Sequence, residues 1–553
     1  VIKKWIVPLI AFLLCTVAGY RIRQYNLPSA GTAIPVPTHV VLTLVTDTTR
    51  DRPVRLEQDG VFLMSANAWR RGLTSIRSKL SSSLQSGGRV RCGDKVACEW
   101  LGQRLDSVGP DTATVIVETA QQWPDEAASD ASGEAVTNEE IRLVIPLSSS
   151  RKHGLIGGQI VSNGIPINLT SSSTHRDCLL ASNDLDDLVL APLTNKSNRI
   201  QRVVGQLKRR ADQIAVDLEY ADASSVFLSV LKYGALLCLI LTMFGWKILS
   251  RILLVAISGV MMAAATSTLT VAVVPNIMGY LLGPFLGIII CVIGWKWTSE
   301  NETGLLIGCL LADLITGGFL GSFAGLGANP VIGARYYGLG NELSALLLGS
   351  LICLLTKTPI ASVISAGFLA LLIGHPALGA NGGDMIAVLI GICLFTVIKG
   401  GRKARLIAIL ITLAMGCLVV WDAYLAPESM QSHLGRFVAA KGFGFTELVT
   451  SKLMAHLRLM TTSAWGITAL ISIYWWVSKH LQRNGWKADL STCVAACLFL
   501  LNDSGPISLT LFTLVMMLDQ SPAILVGTWT QSVNRGFRKN LILKNDAIAE
   551  PND

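Results

Sequence analysis

From residue 226 to about 520 the chain is a succession of apolar runs, each about 15–25 residues long, separated by short polar stretches. The runs predict helices near 228–246, 252–274, 277–295, 304–324, 342–356, 359–374, 383–398, 406–423, 461–478 and 490–519. A hydrocarbon core is crossed by roughly 20 apolar residues in helical form, so the pattern predicts a polytopic helical membrane domain over 226–520. The last run is interrupted at Asn502, Asp503, Ser504, Gly505 and Pro506, and reads as one broken helix or as two half-spans.

Upstream the pattern changes. Residues 21–225 mix polar and apolar positions, and HVVLTLVTD (39–47), TATVIVET (112–119), IRLVIPL (141–147) and HGLIGGQIV (153–161) are β-rich runs. The acidic stretch 124–140, without aromatics, reads as a flexible loop. Residues 199–221 space their apolar positions as a helix does. The expectation is a small α+β domain.

At the N-terminus, Lys3 and Lys4 precede about fifteen apolar residues. Residues 1–20 are expected to be an uncleaved anchor, with a cleaved signal as the alternative. Val1 in the place of Met suits a GTG start in a bacterial gene. The fold expected is therefore α-helical and polytopic, with about 10–12 transmembrane helices counting the anchor, a small α+β extracytoplasmic domain and a basic tail at 521–553.

Charge supplies the orientation. Lys247 and Arg251, Lys296, Lys357, the cluster from Lys399 to Arg405, and Lys479 through Lys487 fall at alternate ends of the apolar runs. Basic residues collect on the cytoplasmic side, so 275–277, 325–341, 375–382, 424–460 and the domain at 21–225 are expected outside; Arg21 and Arg23 run against the rule. The expected location is the bacterial inner membrane. Composition agrees: the 553 residues are 51% hydrophobic and 15% charged, with mean hydropathy +0.51, more apolar than soluble domains. The same rule accounts for the net charge of +9 without a nucleic-acid partner. Cys92 and Cys98 are able to close a disulfide in an oxidising compartment or to stay free thiols, with Cys178 left over. The other nine cysteines lie in apolar runs and read as small core residues; no cysteine spacing suggests a metal site.

Four polar clusters interrupt the apolar half. GARYYGLGNE carries Arg335, Tyr336, Tyr337, Asn341 and Glu342; HPALGANGGD carries His375, Asn381 and Asp384; PESMQSHLGR carries Glu428, Ser432, His433 and Arg436; and LLNDSG carries Asn502, Asp503 and Ser504. Charge and non-helical backbone at membrane depth persist where they are buried in protein or line a cavity. Glycine-rich breaks let backbone approach a ligand and offer N–H groups to an anion, and guanidinium groups match phosphate. Plainer roles compete. Glu342 is able simply to brace a helix start, the tyrosines to belong to an interfacial belt, His375 to be an interfacial histidine, and Asp313 to bond a neighbouring helix. Lys441, Lys452 and Arg458 read as a solvated or headgroup-facing stretch.

On these motifs, in this order and over about 320–506, the chain resembles a family of uncharacterised polytopic bacterial membrane proteins with ARxYGxGNE, LGANxGG, SHxGR and NDSG signatures, some fused to an alkaline-phosphatase-like outer domain. No phosphatase metal-ligand pattern is visible in 21–225, so that activity is not implied. The resemblance implies that Arg335, Tyr337, Asn341, Glu342, Asn381, His433, Arg436, Asn502 and Asp503 form a shared polar set.

GxxxxGK[ST], HExxH, GxSxG and CxxCH are all absent, which argues against P-loop, zincin, α/β-hydrolase and haem chemistry. No cofactor or metal is expected. Three functions remain open: a transferase acting on a polyprenyl-phosphate-linked glycan, a transporter or flippase for an envelope lipid or anionic solute, and a scaffold whose outer domain binds envelope-assembly proteins. For the transferase, Arg335 and Arg436 are expected to hold the diphosphate and Glu342 or His433 to take the proton. Tyr336, Tyr337, Asn341, His375, Asn381, Asp384, Asn502, Asp503 and Ser504 are expected to line the substrate site. A transporter would use Asp384 and Asp503 as ion carriers.

Overall fold

A computed structural model of the chain describes residues 2–26, the strands and helices of 31–203 named below with a few adjoining residues, 226–271 less 245 and 247, Ile289, 302–324, 326, 337–355, 358–426, 431–439, 445–481, 486–502 and 504–519. The helix expected at 277–295 (Ile289 apart), the acidic stretch 124–139 and the tail 521–553 lie outside them.

Helix α1 (Ile2–Asn26) is more than a tether. Val7, Ala11, Cys15 and Ala18, on one helical face, are buried, whereas Leu9, Leu13 and Val17 on the other are exposed. The buried face lies along α7 (Glu302–Thr316) at glycine contact. A Cβ on Gly308 would stand 2.7 Å from the Pro8 carbonyl oxygen, and one on Gly19 would stand 2.4 Å from Thr316 Oγ1. The two helices therefore run parallel.

The polar segment folds around a mixed sheet. Its strands are β2 (His39–Val45), β3 (Val61–Ser65), β4 (Val90–Cys92), β5 (Val115–Ala120), β6 (Glu140–Pro146) and β7 (Leu155–Ser162), in the order β3-β7-β6-β2-β5-β4, with β8 (Ile165–Pro166) on β7. The central β2 pairs parallel to both β5 and β6, and its Val40, Leu42 and Leu44 are buried. Parallel strands buried on both faces read as continuous apolar runs, which is why these stood out in the sequence. Helix α2 (Ala66–Gln85) buries Trp69, Leu73, Ile76 and Leu80, and packs on α4 (Ser182–Thr194), where Lys79 Nζ meets Asp186 Oδ2 at 2.7 Å. The short α3 (Lys95–Trp100) is capped by Asp94, which accepts from Ala97 N at 2.8 Å. Cys98 on α3 is disulfide-bonded, as an oxidised pair requires; the side chain of Cys92 lies outside the described residues.

A second, antiparallel sheet has the order β1-β11-β9-β10, formed by β1 (Gly31–Ala33), β11 (Ile200–Val203), β9 (Leu169–Ser171) and β10 (Arg176–Asp177). It corrects the helix expected at 199–221: Ile200–Val203 is a strand, held in register with Gly31–Ala33 by β1 and with Leu169–Ser171 by β9. Cross-strand partners override the local spacing; 204–221 lie outside the described residues.

The other described elements are helices: α5 (Val226–Met243), α6 (Ile248–Val271), α7, α8 (Phe319–Phe323), α9 (Asn341–Leu355), α10 (Pro359–Gly374), α11 (Gly382–Ile398), α12 (Arg402–Val420) with a π turn at Trp421–Leu425, α13 (His433–Ala439), α14 (Phe445–Thr462), α15 (Ala464–Leu481), α16 (Trp486–Leu501) and α17 (Gly505–Asp519). Ile248–Thr266 and Arg402–Leu425 are long and apolar enough to cross a membrane, and the other apolar helices are shorter. Large apolar side chains stand on the outside, among them Phe368, Val397, Leu406, Leu410, Leu413 and Leu470, while Ser362, Thr396, Thr468 and Thr510 are buried.

The interrupted run 490–519 resolves as two helices turning back on each other. α16 runs antiparallel to α11, because Asn502 meets Asp384 at one end and Lys399 Nζ lies 3.9 Å from Asp489 Oδ2 at the other. α17 runs parallel to α9, with Asn341 on Ser504 at the start and Cys353 Sγ 3.5 Å from Met516 Sδ near the end.

Candidate functional site

Three of the four polar motifs meet at the starts of α9, α11 and α17. Asn381 ends a tight turn in which Ala380 has a φ of 47°, and its Oδ1 caps α11 by accepting from Asp384 N at 3.2 Å. The two hydrogens on its Nδ2 face three acceptors, Asp384 Oδ2 (2.8 Å), Asn341 Oδ1 (2.9 Å) and, at the longest distance, the Leu339 carbonyl (3.2 Å). Asn341 donates onward to Asn502 Oδ1 and Ser504 Oγ, both at 2.7 Å. Asn502 returns the chain of bonds to Asp384 Oδ1, and Ser344, one turn into α9, donates to Asp384 Oδ2. Asp384, Asn381, Asn502 and Ser344 are all buried. Asn381, Asn502 and Ser344 all act as donors to Asp384.

Glycines make this convergence possible. Gly318 (φ +76°) passes so close to the next loop that a Cβ on it would stand 2.2 Å from Gly338 C and O. Gly338 (φ +86°) in turn faces the Gly379 carbonyl, 2.4 Å from where its own Cβ would be. Leu339 N, beside it, donates to that same carbonyl at 2.7 Å. Only glycine fits backbone packed this closely at positive φ. Asp313 steadies the first of these loops by accepting from Gly321 N at 3.0 Å, so its bond runs to the short helix that follows its own.

The fourth motif forms a neighbouring cluster. The 433–439 stretch is helical, and the π turn before it places a buried Asp422 beneath its start. Asp422 accepts from Ser432 N at 2.9 Å and from Ser432 Oγ, and a Cβ on Gly435 would stand 2.4 Å from Asp422 Cγ. Arg436 Nη2 donates to Tyr337 OH at 3.2 Å, and Tyr337 OH donates to the Gln431 carbonyl at 3.3 Å. His375 stacks on Trp421 with ring centres 5.9 Å apart, and burial pushes its imidazole below the ordinary value, Asp422 opposing.

The expected residues thus separate. Asn341, Asn381, Asp384, Asn502 and Ser504 share one network; Tyr337, Arg436 and His375 belong to the second cluster. Glu342 is half-buried in the first turn of α9, next to Asn341. Arg335, Tyr336, Glu428, Asp503 and the side chain of His433 lie outside the described residues. Sequence reasoning missed Ser344, Ser508 (3.3 Å from Asn502 Nδ2) and Asp422. An aspartate inside an apolar run was the available signal for Asp422.

Reading the stretch around Lys452 and Arg458 as solvated fits Arg458, which is exposed, but not Lys452 on α14. Lys452 and His456, one turn apart, face the helical body, whereas Val449, Leu453, Met454 and Leu457 are exposed. Lys452 Nζ stands 4.0 Å from a Cβ placed on Gly383, and His456 Cε1 stands 2.9 Å from one placed on Gly505. Both therefore reach the helix starts of the first network. Among the described residues no group of three His, Cys, Asp or Glu side chains is placed to hold a metal ion. No family model, curated protein or solved structure matches the chain.

Proposed function

We propose that the protein is a multi-pass component of the bacterial inner membrane that acts at the outer face on a polyprenyl-phosphate-linked glycan or similar anionic lipid, as a glycosyl or polymer transferase. The observation that carries this reading is the convergence of Asn341, Asn381, Asp384, Asn502 and Ser504, from motifs up to 163 positions apart, on one polar layer in which Asn381, Asp384 and Asn502 are buried. The outward apolar faces, the inward hydroxyls and the basic residues at the opposite helix ends support a bilayer setting. So does the disulfide-bonded Cys98, which suits an extracytoplasmic domain. The four motifs are further proposed to mark the family that they resemble.

On this reading Arg436, oriented by Tyr337, and Arg335 bind the diphosphate. A hydroxyl of the acceptor attacks the anomeric carbon, the carbon–oxygen bond to the lipid diphosphate breaks, and Glu342 or His433 takes the hydroxyl proton. Asp384 and its amides hold the helix starts that frame the reaction.

A transport reading has one observation in its favour. The helices beginning at the polar layer have 15–17 residues. At about 1.5 Å per residue they measure roughly 22–26 Å, short of a hydrocarbon core of about 30 Å. The layer is then recessed below the surface, as substrate sites in transporters are.

The test is made in the native host, with the protein depleted or carrying Arg436→Ala. Polyprenyl-linked intermediates accumulating in the outer leaflet support the transferase. Accumulation in the inner leaflet supports a flippase. An unchanged pool would sink both.

A further inference from the structure

An apolar groove opens beside the polar layer. It has a volume of about 420 Å³, within the range of ligand sites (about 300–1,000 Å³), and lies between α15, which contributes Ile473, Trp476 and Val477, and α16, which contributes Thr492, Ala496 and Phe499. From Thr492 to Leu500 it follows α16 for about 12 Å. One end of it carries polar groups. The His456 ring meets the Phe499 ring edge-on with centres 4.8 Å apart. Lys452 lies one turn along the same face of α14, against the first turn of α11. Among the described residues its ammonium has no hydrogen-bond or ion-pair partner.

An inward-facing cation, an imidazole and two helix N-termini at the end of an apolar channel form a complementary surface for an amphiphile with an anionic head. We propose that this groove holds the hydrocarbon chain of an isoprenyl phosphate, and that Lys452 and His456 receive its phosphate. This rests on the reading of the protein as acting on a polyprenyl-phosphate-linked substrate, and names the subsite for the lipid. Leu509 of α17 lines it as well, and its volume of about 420 Å³ suits one hydrocarbon chain better than two, which favours a single-chain isoprenoid over a two-chain phospholipid.

The experiment uses the full-length protein in nanodiscs of zwitterionic phospholipid. The probe is a long-chain isoprenyl monophosphate carrying a photoreactive diazirine in its tail, with labelled peptides located by mass spectrometry. Saturable labelling within 473–477 and 492–500 is expected. Unlabelled isoprenyl phosphate should compete at least about tenfold better than the parent alcohol or an anionic phospholipid, the scale set by one charge-assisted hydrogen bond. Lys452→Ala should weaken labelling about tenfold and Lys452→Arg should restore most of it. Ala496→Trp, which fills the groove from its exposed side, should abolish the labelling. If that variant is poorly folded, Ala496→Leu gives the same readout. Saturable labelling elsewhere overturns the groove but leaves the proposed function standing. Equal competition by phospholipid or by the alcohol overturns it too, as an ordinary lipid contact. Absence of saturable labelling anywhere removes both proposals.

Discussion

Asn502 Nδ2 donates to Asp384 Oδ1, although 118 positions separate the two residues. The bond joins the α16–α17 turn to the first turn of α11, and both groups are buried. A buried donor or acceptor left without its partner costs about 1–3 kcal/mol, more when a charge is involved. Asp384→Asn is therefore expected to lower stability by at least about 1 kcal/mol, because an amide N–H then faces other donors. The swap Asp384→Asn with Asn502→Asp restores one carboxylate and one amide. It should recover part of that loss, a coupling of about 0.5–3 kcal/mol. Thermal unfolding of the four proteins in detergent measures it; strictly additive losses would show that the bond contributes nothing.

Arg436 and Tyr337 form the second testable pair. Tyr337→Phe removes a phenol that accepts from Arg436 and donates to the Gln431 carbonyl, and should cost about 1 kcal/mol of stability. Arg436→Lys keeps the charge but not the planar fork. It should reduce function by at least about tenfold, the scale of one such hydrogen bond, with thermal stability changed little. Complementation of a depleted strain, read beside the melting temperature, separates the two effects. Full complementation by Arg436→Lys would show that only charge is needed there.

The glycines offer a contrast between two positions. Gly318→Ala combines a left-handed backbone, about 1–2 kcal/mol for an L-residue, with a Cβ 2.2 Å from Gly338. It should unfold the protein at a distinctly lower temperature. Gly416, inside α12, has nothing within 4 Å of its Cβ position. Gly416→Ala should be neutral or stabilising by about 0.5–1 kcal/mol. Similar melting temperatures for the two variants would mean that the loops are not packed as described.

Cys98 reports on compartment. In intact cells or freshly isolated membranes it should resist a membrane-impermeant maleimide, and react once a reductant has been added. Quantitative labelling of Cys98 without reductant would place the 31–203 domain in a reducing compartment and reverse the proposed orientation.

His375 gives a pH dependence with a definite sign. Burial holds its folded-state pKa below the ordinary value of about 6.5. The unfolded chain therefore binds the proton first. Stability from this group is fully present above about pH 6.5 and declines as pH falls through the window between that value and the lowered one. NMR titration of the His375 imidazole should show the depression, and Asp422→Asn should deepen it by removing the opposing charge. A midpoint at or above the ordinary value would contradict the packing against Trp421.

Much of the helical body was legible because its elements follow apolar runs, which are a composition signal. The breaks at Asn341, Asn381 and Asn502 were legible because amides and glycines inside such runs are costly unless they meet partners. Their mutual bonding was not, since which breaks meet depends on helix pairing over more than a hundred positions. Ser344 and Ser508 were invisible, because a serine within an apolar helix commonly bonds its own backbone. Lys452 was misjudged for a different reason. Reading charge as the outward face assumes water outside, whereas α14 exposes Val449, Leu453, Met454 and Leu457 and turns Lys452 inward. The strand at Ile200–Val203 failed because local periodicity carries no information about Gly31–Ala33, its partner far along the chain.

That pairing of β1 with β11 has a consequence for how such a protein can change. The segment 31–203 enters and leaves through two adjacent strands, so its two ends lie side by side, while Leu179 packs into the core of the helical body. It can be lengthened or exchanged for another unit whose ends lie equally close without re-routing any helix, provided the apolar contact made by Leu179 is kept. α1 cannot go with it, because Val7, Ala11, Cys15 and Ala18 are part of the bundle. The modular boundary therefore falls after the first helix rather than at the chain terminus, and a chimera joined there should keep its helical body intact.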